Sequence, residues 1–580
     1  MNIKLVNPIY TSNYFTNLLK YRGVKDIHCF LNPSIENVQK PDFLSNIELA
    51  AEKYIEVIKN NGKIALVVDS DCDGYTSAAI IYNYSKKLAP DVHIDYYLHT
   101  KKQHGLEDTC EKILNSNISY DLVITPDSSS NDIEFHNALG EQNIYTLVLD
   151  HHLLDKEISK FAYIVNNQIS KDYYNKELTG AGITWQFCKY IDNQYDYNYS
   201  NDLIDLAALG ICGDMGSVLS LENRYIMMQG FSNIKNNFFK ALVEKQSYSM
   251  NNEVNPTTIA FYIVPLINAM IRVGTQPEKE RMFEAFIDGM KKVPSNKRGA
   301  KGALEYLCIE SARECSNAKT RQNNMLDKIT DMLEIRIHKY GLLEDKILMV
   351  CLEDEDDFPT EINGLVAMRL AAKFRKPTLV VRDNHEGFLK GSIRNSPNSP
   401  LEDFKDFLIK SNYFEYVQGH ANAAGASFCY NDINQDLSFF HKYANEALKD
   451  YDFGEGTYDV NFIRQATALD LSDLVMDLGS HPEAWGQCNP ESKIYIEDLY
   501  IDKNQINVIG SRSDTVKFEK NGITYIQFHA KKLIQELEEL NGNEVKFNIV
   551  GHANINYWGG RCTPQLFIDA YEVENGCYGF

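Results

Sequence analysis

The sequence predicts an α/β protein: a parallel-sheet domain, a helical linker, a smaller α/β domain and a C-terminal β-barrel of OB type. Three observations carry this reading. From about Tyr54 to Leu221, short apolar runs alternate with longer helical stretches, the pattern of βαβ units feeding a parallel sheet. A second block of this kind runs from Ile347 to about Leu448. The last segment turns to strand-like alternation with a single helix before its final two strands, which fits a small barrel.

Taken in order, residues 1–45 read as an N-terminal extension and 46–275 as the first α/β domain. Within that domain Ile64-Ala-Leu-Val-Val68, Leu122-Val-Ile-Thr125 and Thr146-Leu-Val-Leu149 have buried-strand character, and a helix is expected from near Thr76. Residues 276–345 form the helical linker, part of a mainly helical stretch that starts near residue 235. It is broken by the basic segment Lys291-Lys-Val-Pro-Ser-Asn-Lys-Arg-Gly-Ala-Lys301. Residues 346–450 are the second α/β domain, with strands at Lys346–Leu352 and Pro377–Val381, and Asp450–Gly456 reads as a connector. Residues 456–580 hold strands at Lys493–Ile501, Ile506–Ile509 and Ile523–Phe528, a helix at Lys531–Leu540, and strands at Val545–Val550 and Leu566–Tyr571.

The 580 residues are 44% hydrophobic and 24% charged, which excludes a disordered or collagen-like chain. No stretch approaches the ~18 uninterrupted apolar residues of a membrane span, and the N-terminus lacks a signal-peptide core, so no membrane association is expected. The 12 cysteines never fall as C-x-x-C, which argues against a zinc ribbon or a disulfide framework and for a cytoplasmic location. A net charge of -22 argues against coating nucleic acid by bulk attraction. It leaves open a locally basic groove, and a carboxylate cluster holding divalent cations would read the same way.

Such a cluster is visible. The run ending at Val68 empties into Asp69-Ser-Asp71-Cys-Asp73-Gly74, three carboxylates at alternate positions followed by glycine. An EF-hand loop is excluded, because a strand precedes it and the twelfth position is Ile80 rather than a bidentate Glu. The second run ends at Asp127, the third at Asp150-His151-His152, and the apolar stretch Ala207–Gly213 ends at Asp214. Ligand sites of open parallel sheets lie beyond the carboxyl ends of the strands. Mixed carboxylate and imidazole ligands suit Mn²⁺, with Mg²⁺ the alternative, and a shared carboxylate allows a pair of ions.

These residues resemble the DHH phosphoesterases, and within them the RecJ single-strand exonucleases. The resemblance rests on Asp69-x-Asp71-x-Asp73-Gly74, Asp127, Asp150-His151-His152 and Asp214. Tyr21-Arg-Gly-Val with Phe30-Leu-x-Pro33 is similar to the RecJ N-terminal extension, and Thr179-Gly-Ala-Gly182, Glu222-Asn-Arg224 and Pro265-x-x-Asn268-Ala-x-x-Arg272-x-Gly274 to stretches of the DHH domain. Gly364-Leu-Val-Ala, Lys390-Gly-Ser392-Ile-Arg394 and Gly419-His420-Ala-Asn-Ala-Ala-Gly425 look like the companion DHHA1 domain.

The resemblance implies one metal held by Asp71 and Asp127 with Asp69 beside it, and a second held by Asp73, Asp127, His151 and Asp214, with Asp127 bridging. His152, Asp127 and Asp150 are the implied catalytic group, His152 facing the scissile phosphate. Ser392, Arg394, Gly419 and His420 are the implied pocket for a terminal 5′-phosphate, with Arg272, Lys101 and Lys102 as further phosphate contacts. In the OB-like segment Phe518, Phe528, Tyr557 and Trp558 are candidates for base stacking, beside Lys517 and Arg561. For any single aromatic there, packing in the barrel is the stronger expectation.

Four positions depart from the family pattern. Asp127 is followed by Ser128-Ser-Ser130 rather than D-x-G, and Lys101-Lys102-Gln-His104-Gly105 stands where an Arg precedes G-Y-G. Asn395 and Gln418 replace a serine and the first glycine of G-G-H. The expected function is a metal-dependent 5′→3′ exonuclease that degrades single-stranded DNA to 5′-mononucleotides by two-metal hydrolysis. A single-strand-binding protein or other replication and repair proteins are the expected partners. The alternatives are a DHH phosphodiesterase for short oligonucleotides or cyclic dinucleotides, and a non-catalytic replication scaffold.

Overall fold

The computed structural model describes all residues except 7–11, 102, 155–156, 355, 357, 455–456, 511, 559 and 577–580, and the side chain of Trp558. The chain folds as two units. One comprises Asp26–Gln322 with Glu483–Pro490, and the other Met1–Lys25, Asn323–Pro482 and Glu491–Phe580. The 33-residue helix Leu307–Lys339 carries the chain from the first unit to the second.

The first unit is built on five parallel strands in the order His93–Leu98, Lys63–Val68, Leu122–Pro126, Tyr145–Asp150, Ala162–Asn166. Their near-continuous apolar runs follow from burial on both faces. Ile64, Leu66 and Val68 point into one large core shared with the helices Cys72–Leu88, Gly180–Tyr195 and Ile204–Gly213. Ala65 and Val67 point into a separate core with Cys110, Ile113 and Leu139. Numbered along the chain the order is 2-1-3-4-5, whose switch point lies between Lys63–Val68 and Leu122–Pro126. Asp69 and Asp127 follow directly from these two strands.

The apolar stretch before Asp214 is a helix, Ile204–Gly213. The helix expected from Thr76 starts one turn earlier, at Cys72, because the Asp71 carboxylate caps it by accepting the Gly74 N–H at 3.0 Å. Residues Pro256–Val273 make a continuous apolar helix, long enough to span a membrane by length and composition, half of it buried in protein. Its Ile259–Ile263 segment is a π-helical turn, the wider turn that precedes Pro265, which has no amide to donate. The basic segment forms a hairpin, Lys292–Pro294 against Leu304–Tyr306.

The second unit contains two sheets of note. One is five-stranded, in the order Phe414–His420, Ala423–Cys429, Phe388–Arg394, Thr378–Asp383, Leu348–Leu352, with only the last two parallel. The other is a seven-stranded mixed sheet: Phe462–Gln465, Lys493–Asp502, Glu544–Trp558, Arg561–Asn575, Ile523–Gln527, Thr515–Lys520, Asn507–Ile509. Its two end strands do not pair with each other, in keeping with a partly open OB barrel. The final two strands run 15 residues each, longer than the sequence suggests, and shift register at Val550/Gly551, a bulge that bends such long strands. At the N-terminus, Asn2–Leu5 pairs in parallel with Thr457–Val460, and Tyr14 bonds Asp470 at 2.8 Å.

Glu222-Asn-Arg224 belongs to the interior of the first unit. The buried Glu222 carboxylate accepts from Tyr173 Oη at 2.7 Å, Asn175 Nδ2 at 2.9 Å, Gln186 Nε2 at 2.6 Å and the Gln39 N–H at 3.3 Å. Arg224 is also buried; it donates to the Phe30 and Glu483 carbonyls, its guanidinium 3.9 Å from the Phe30 ring centroid. Every group facing Glu222 is a donor, so an amide there meets donors with a donor. Glu222→Gln is expected to cost about 1–3 kcal/mol in urea unfolding. An unchanged midpoint would show that the network does not hold the helix Leu221–Ser232 in place.

Candidate metal centre

The site is set by where strands end. Lys63–Val68 delivers Asp69 and, after a tight turn, Asp71 as helix cap and Asp73 in the first helical turn. Leu122–Pro126 delivers Asp127, and Tyr145–Asp150 delivers Asp150, His151 and His152. The helix Ile204–Gly213 ends at Asp214. Ligand atoms of Asp69, Asp71 and Asp127 lie within 4.8 Å of one another, as do those of Asp73, His151 and Asp214, and those of Asp127, Asp150, His151 and His152. All six sequence-predicted metal ligands therefore meet at one place. His151 Nε2 stands 3.2 Å from Asp127 Oδ1 and 3.5 Å from Asp214 Oδ2, so Asp127 joins the groups.

Each carboxylate has its own support. Asp73 is fully buried and accepts from Thr179 Oγ1 at 3.1 Å, the Gly180 N–H at 2.8 Å and the Ala181 N–H at 3.0 Å. The last two are free amides at the start of the helix Gly180–Tyr195, where the helix dipole favours an anion. A Cβ at Gly180 would collide with Asp127 Oδ1, and one at Gly210 with Asp73 Oδ1; both glycines are there for close approach. Asp69 accepts from His104 Nδ1 at 2.7 Å and from the Gly105 N–H at 3.0 Å. Asn268 Oδ1 accepts the Cys72 N–H at 3.1 Å, anchoring the helix that presents Asp73. Sequence reasoning does not assign these roles to His104, Thr179–Ala181 or Asn268. For His104 a signal exists: it lies just beyond the strand His93–Leu98, whose carboxyl end shares the sheet edge with those of the other strands.

Asp150 plays a different part. Both its oxygens are engaged, by the Ser130 N–H at 3.1 Å, the His151 N–H at 2.7 Å, the His152 N–H at 3.2 Å and His152 Nδ1 at 2.8 Å. Burial raises its carboxyl, but the His152 hydrogen bond and the nearby imidazole charges outweigh that and hold it well below the usual carboxylate range. It orients His152 and does not face the metal groups with a spare oxygen. In return the Asp150 hydrogen bond pushes His152 up to about 9, and 58% of the His152 side chain is exposed. Burial lowers His151, which keeps it a neutral donor.

Two buried atoms in the cluster, Asp127 Oδ1 and His151 Nε2, have no hydrogen-bond partner. Buried polar atoms are rarely left so, and a cation between them satisfies both. Burial, then the neighbouring carboxylates, raises Asp127 and Asp71, and pushes Asp214 up to about 8. The donor set fits hard or borderline divalent ions such as Mg²⁺ and Mn²⁺.

Strain gathers at the same place. Asp127, Ser129 and Met215 all have left-handed backbones, with φ of 66°, 75° and 57°. Met215 comes after Asp214 in a helix-ending turn, the Gly216 N–H bonding Ile211 O at 2.7 Å, where glycine is usual for the left-handed residue. Ser129 is the third residue of the Asp127-Ser-Ser departure from D-x-G, and its hydroxyl is buried without a partner.

The phosphate-contact candidates fall in several places. On the five-stranded sheet the register aligns Ser392, Gly425 and Gln418 in one row and Arg394, Ala423 and His420 in another, so Ser392, Arg394 and His420 share a face. Gly419 and His420 are exposed. The Arg394 guanidinium lies against Gly364 in the first turn of the helix Asn363–Phe374. Asn395, at a departure, bonds Asn422 Oδ1 at 2.8 Å and Leu401 O at 2.6 Å. In the first unit, Arg272 is half-buried, lowered by burial and opposed by the charge of Asp71. Lys101 is exposed, its carbonyl accepting from Ser70 Oγ at 3.3 Å. Lys102 and the Trp558 side chain lie outside the described residues. Of the OB-segment aromatics, Phe518 is core, stacked on Tyr525 and Phe547, while Phe528 and Tyr557 are exposed.

Ser129→Gly is expected to raise stability by roughly 0.5–1 kcal/mol. Relief of about 1–2 kcal/mol of left-handed strain, with the orphaned hydroxyl removed, exceeds the ~0.5–1 kcal/mol that glycine's freedom adds to the unfolded chain. Denaturant midpoints check this; a lower midpoint would mean the hydroxyl is doing structural service. A second expectation concerns pH. Raised carboxyls mean the cation-free folded chain holds more protons than the unfolded one between the ordinary carboxylate range and about 8. Melting temperature in EDTA should therefore fall from about pH 6 to about pH 8, and saturating Mn²⁺, which displaces those protons, should raise it and flatten the slope. Asp214→Asn should flatten the EDTA slope too; a slope indifferent to both would separate the cluster from the effect.

Comparison with known proteins agrees with this geometry. Residues 63–211 match the DHH family, N-terminal domain, and residues 467–570 match the RecJ OB domain. The protein named "Putative SPbeta prophage-derived single-strand DNA-specific exonuclease YorK" of Bacillus subtilis is 36% identical over 572 residues, covering 97% of this chain and 96% of that one. The single-stranded-DNA-specific exonuclease RecJ of Bacillus subtilis is 23% identical, over 97% of this chain and 68% of that one. The fold is that of the crystal structure of RecJ in complex with Mn²⁺ from Thermus thermophilus, with a TM-score of 0.72 at 17% identity over 98% of this chain and 79% of that one. RecJ of that organism has also been solved in complex with Mg²⁺, with a TM-score of 0.66 at 18% identity over 99% of this chain and 79% of that one. With likeness of this extent on top of the strand-end aspartates and the His151-His152 pair, the chain belongs to the RecJ-like single-strand-DNA-specific exonuclease family of DHH proteins.

Proposed function

We propose that the protein is a divalent-metal-dependent 5′→3′ exonuclease that hydrolyses single-stranded DNA to 5′-mononucleotides. The observation that carries this is the convergence of Asp69, Asp71, Asp73, Asp127, His151 and Asp214 around two buried atoms without partners, in a chain with these relatives. In this reading Asp69, Asp71 and Asp127 would hold one ion, and Asp73, His151 and Asp214, with Asp127 beside them, would hold the other. When bound, the ions lower the pKa of water and offset negative charge gathering on phosphorus.

The chain's own residues do the rest. His152 is kept cationic by Asp150 and presents its outer ring nitrogen to a phosphate oxygen, where a charge-assisted hydrogen bond strengthens as charge develops. Asp150 acts through His152 as a positioning residue. The helix start at Thr179–Ala181 holds Asp73 in place, and His104 with Gly105 does the same for Asp69. Ser392, Arg394 and His420 hold a terminal phosphate on their shared face, Arg394 bidentately, with Gly419 in the adjoining backbone, which gives the enzyme its polarity. Phe528 and Tyr557 offer exposed rings to unpaired bases.

The test is digestion of long single strands labelled separately at each end, beside their duplexes, with Mn²⁺ and then Mg²⁺. Immediate mononucleotide release from the 5′ label is expected, with duplex spared and Asp127→Ala inactive. Release from the 3′ label would overturn the polarity. Intact long strands beside rapid loss of dinucleotides would move the protein to the small-substrate reading. Asp150→Asn is expected to lower kcat on the order of tenfold or more and to change Mn²⁺ affinity less, because it acts chiefly on His152, while the amide oxygen can still accept the His151 N–H.

A further inference from the structure

The basic hairpin of the first unit is unused by any of this. From Lys291 to Ala303 the chain carries Lys291, Lys292, Lys297, Arg298 and Lys301 and no acidic residue, in a protein whose net charge is -22. We infer that this hairpin is a second, non-catalytic contact for the backbone of a single-stranded nucleic acid, with Lys297, Arg298 and Lys301 on phosphates and Tyr306 beneath a base. The inference rests on the nuclease reading above and adds a binding surface that uses none of the metal-centre residues.

The structure separates these cations into two kinds. Lys291 pairs with Glu284 at 3.3 Å, and Lys292 lies 6.0 Å from the Tyr306 ring centroid. Lys297, Arg298 and Lys301 are exposed, and their side chains form no hydrogen bond or ion pair among the described residues. A loop kept only for folding would not gather three like charges at its tip, where each repels the others. The tip is nonetheless well built. The Ser295 N–H bonds Ala303 O at 2.7 Å, the Gly302 N–H bonds Ser295 O at 2.9 Å, and the Ala300 N–H bonds Lys297 O at 3.0 Å. Asn296 Nδ2 ties the loop to Glu310 at 3.2 Å.

Strand alternation then sorts the two arms of the hairpin. Val293 is buried, and Glu305 pairs with Arg313 at 2.7 Å. Lys292, Pro294, Leu304 and Tyr306 are cross-strand partners on the opposite face, which is exposed; Leu304 is 69% open to solvent. Cations at a tip leading onto an exposed aromatic face are the combination that binds single strands without sequence preference: charge tracks the backbone, and a ring accepts any base. An acidic protein would satisfy the charges but has no need of the ring.

The test measures binding of a ~30-nucleotide oligo-dT by fluorescence anisotropy, in EDTA to stop hydrolysis, between about 50 and 300 mM KCl. Each single-strand phosphate contact contributes about 0.7 to the slope of log affinity against log salt, so Lys297→Ala/Arg298→Ala/Lys301→Ala should flatten the slope by about 2. Replacing the two lysines by arginine should leave it unchanged, and Tyr306→Ser should weaken binding without altering it. Hydrolysis of a trinucleotide should be the same in all variants. Equal slopes for wild type and the triple alanine variant would overturn the inference, as would the same loss for trinucleotide and long strand. Wild type that neither binds nor cuts single strands would instead overturn the nuclease reading beneath it.

Discussion

Like charges that must share a small buried volume set the terms for the whole first unit. Five carboxylates and an imidazole converge where the sheet's strands end, most of them shielded from water. Left alone they would repel or take up protons, and the raised carboxyls of Asp71, Asp127 and Asp214 reflect that tension. The fold answers Asp73 and Asp69 with hydrogen-bond donors at close range. The Thr179 hydroxyl and the Gly180 and Ala181 amides serve Asp73, and the Gly105 amide and His104 serve Asp69. What they leave unmatched, Asp127 Oδ1 and His151 Nε2, is what a divalent ion is suited to complete. A lysine or arginine inserted among them would relieve the repulsion and remove the reason for an ion to bind.

This constraint explains features that otherwise look like local imperfections. The helices Gly180–Tyr195 and Ile204–Gly213 come so close to the cluster that side chains at Gly180 and Gly210 would strike the carboxylates themselves. The left-handed backbones at Asp127, Ser129 and Met215 sit on the turns that aim Asp127 and Asp214 inward. Strain of this kind survives only when surrounding packing over-determines it. Here the packing is a doubly wound sheet with separate cores on its two faces, which fixes the strand ends and leaves the connecting turns no room to relax.

The metal groups are legible in the sequence because each ends an apolar run, and a run of five buried residues leading into a carboxylate is a local signal. The same logic places Asp214, although its apolar run is a helix; helix and strand are not told apart by apolarity in a short buried stretch. The supporting donors are less legible. Thr179–Ala181 lies more than a hundred residues from Asp73 in sequence, and backbone amides leave no trace in residue identity. Gly74, which follows the carboxylates in the sequence, lies inside the helix and gives room to Asp69, a role its identity alone does not reveal. Glu222-Asn-Arg224 stands out in the sequence as charged residues in a motif, yet their surroundings make them an internal hydrogen-bond network.

Charge distribution ties the parts together. A protein of net charge -22 has no bulk attraction for a polyanion, so any grip on nucleic acid must be local. At the candidate metal centre the acidity would itself be the device, since carboxylates that repel phosphate when bare would attract it through bound divalent ions. Away from that centre, contacts must come from cations that the surrounding acids do not neutralise. Many basic side chains are spent on ion pairs, such as Arg321 with Glu278 at 2.9 Å and Arg336 with Asp356 at 2.7 Å. The exposed cations left over are therefore the informative ones. In a strongly acidic chain, a short stretch that carries five basic residues and no acidic one of its own is where a local contact with a polyanion would form, and such contacts weaken as salt rises.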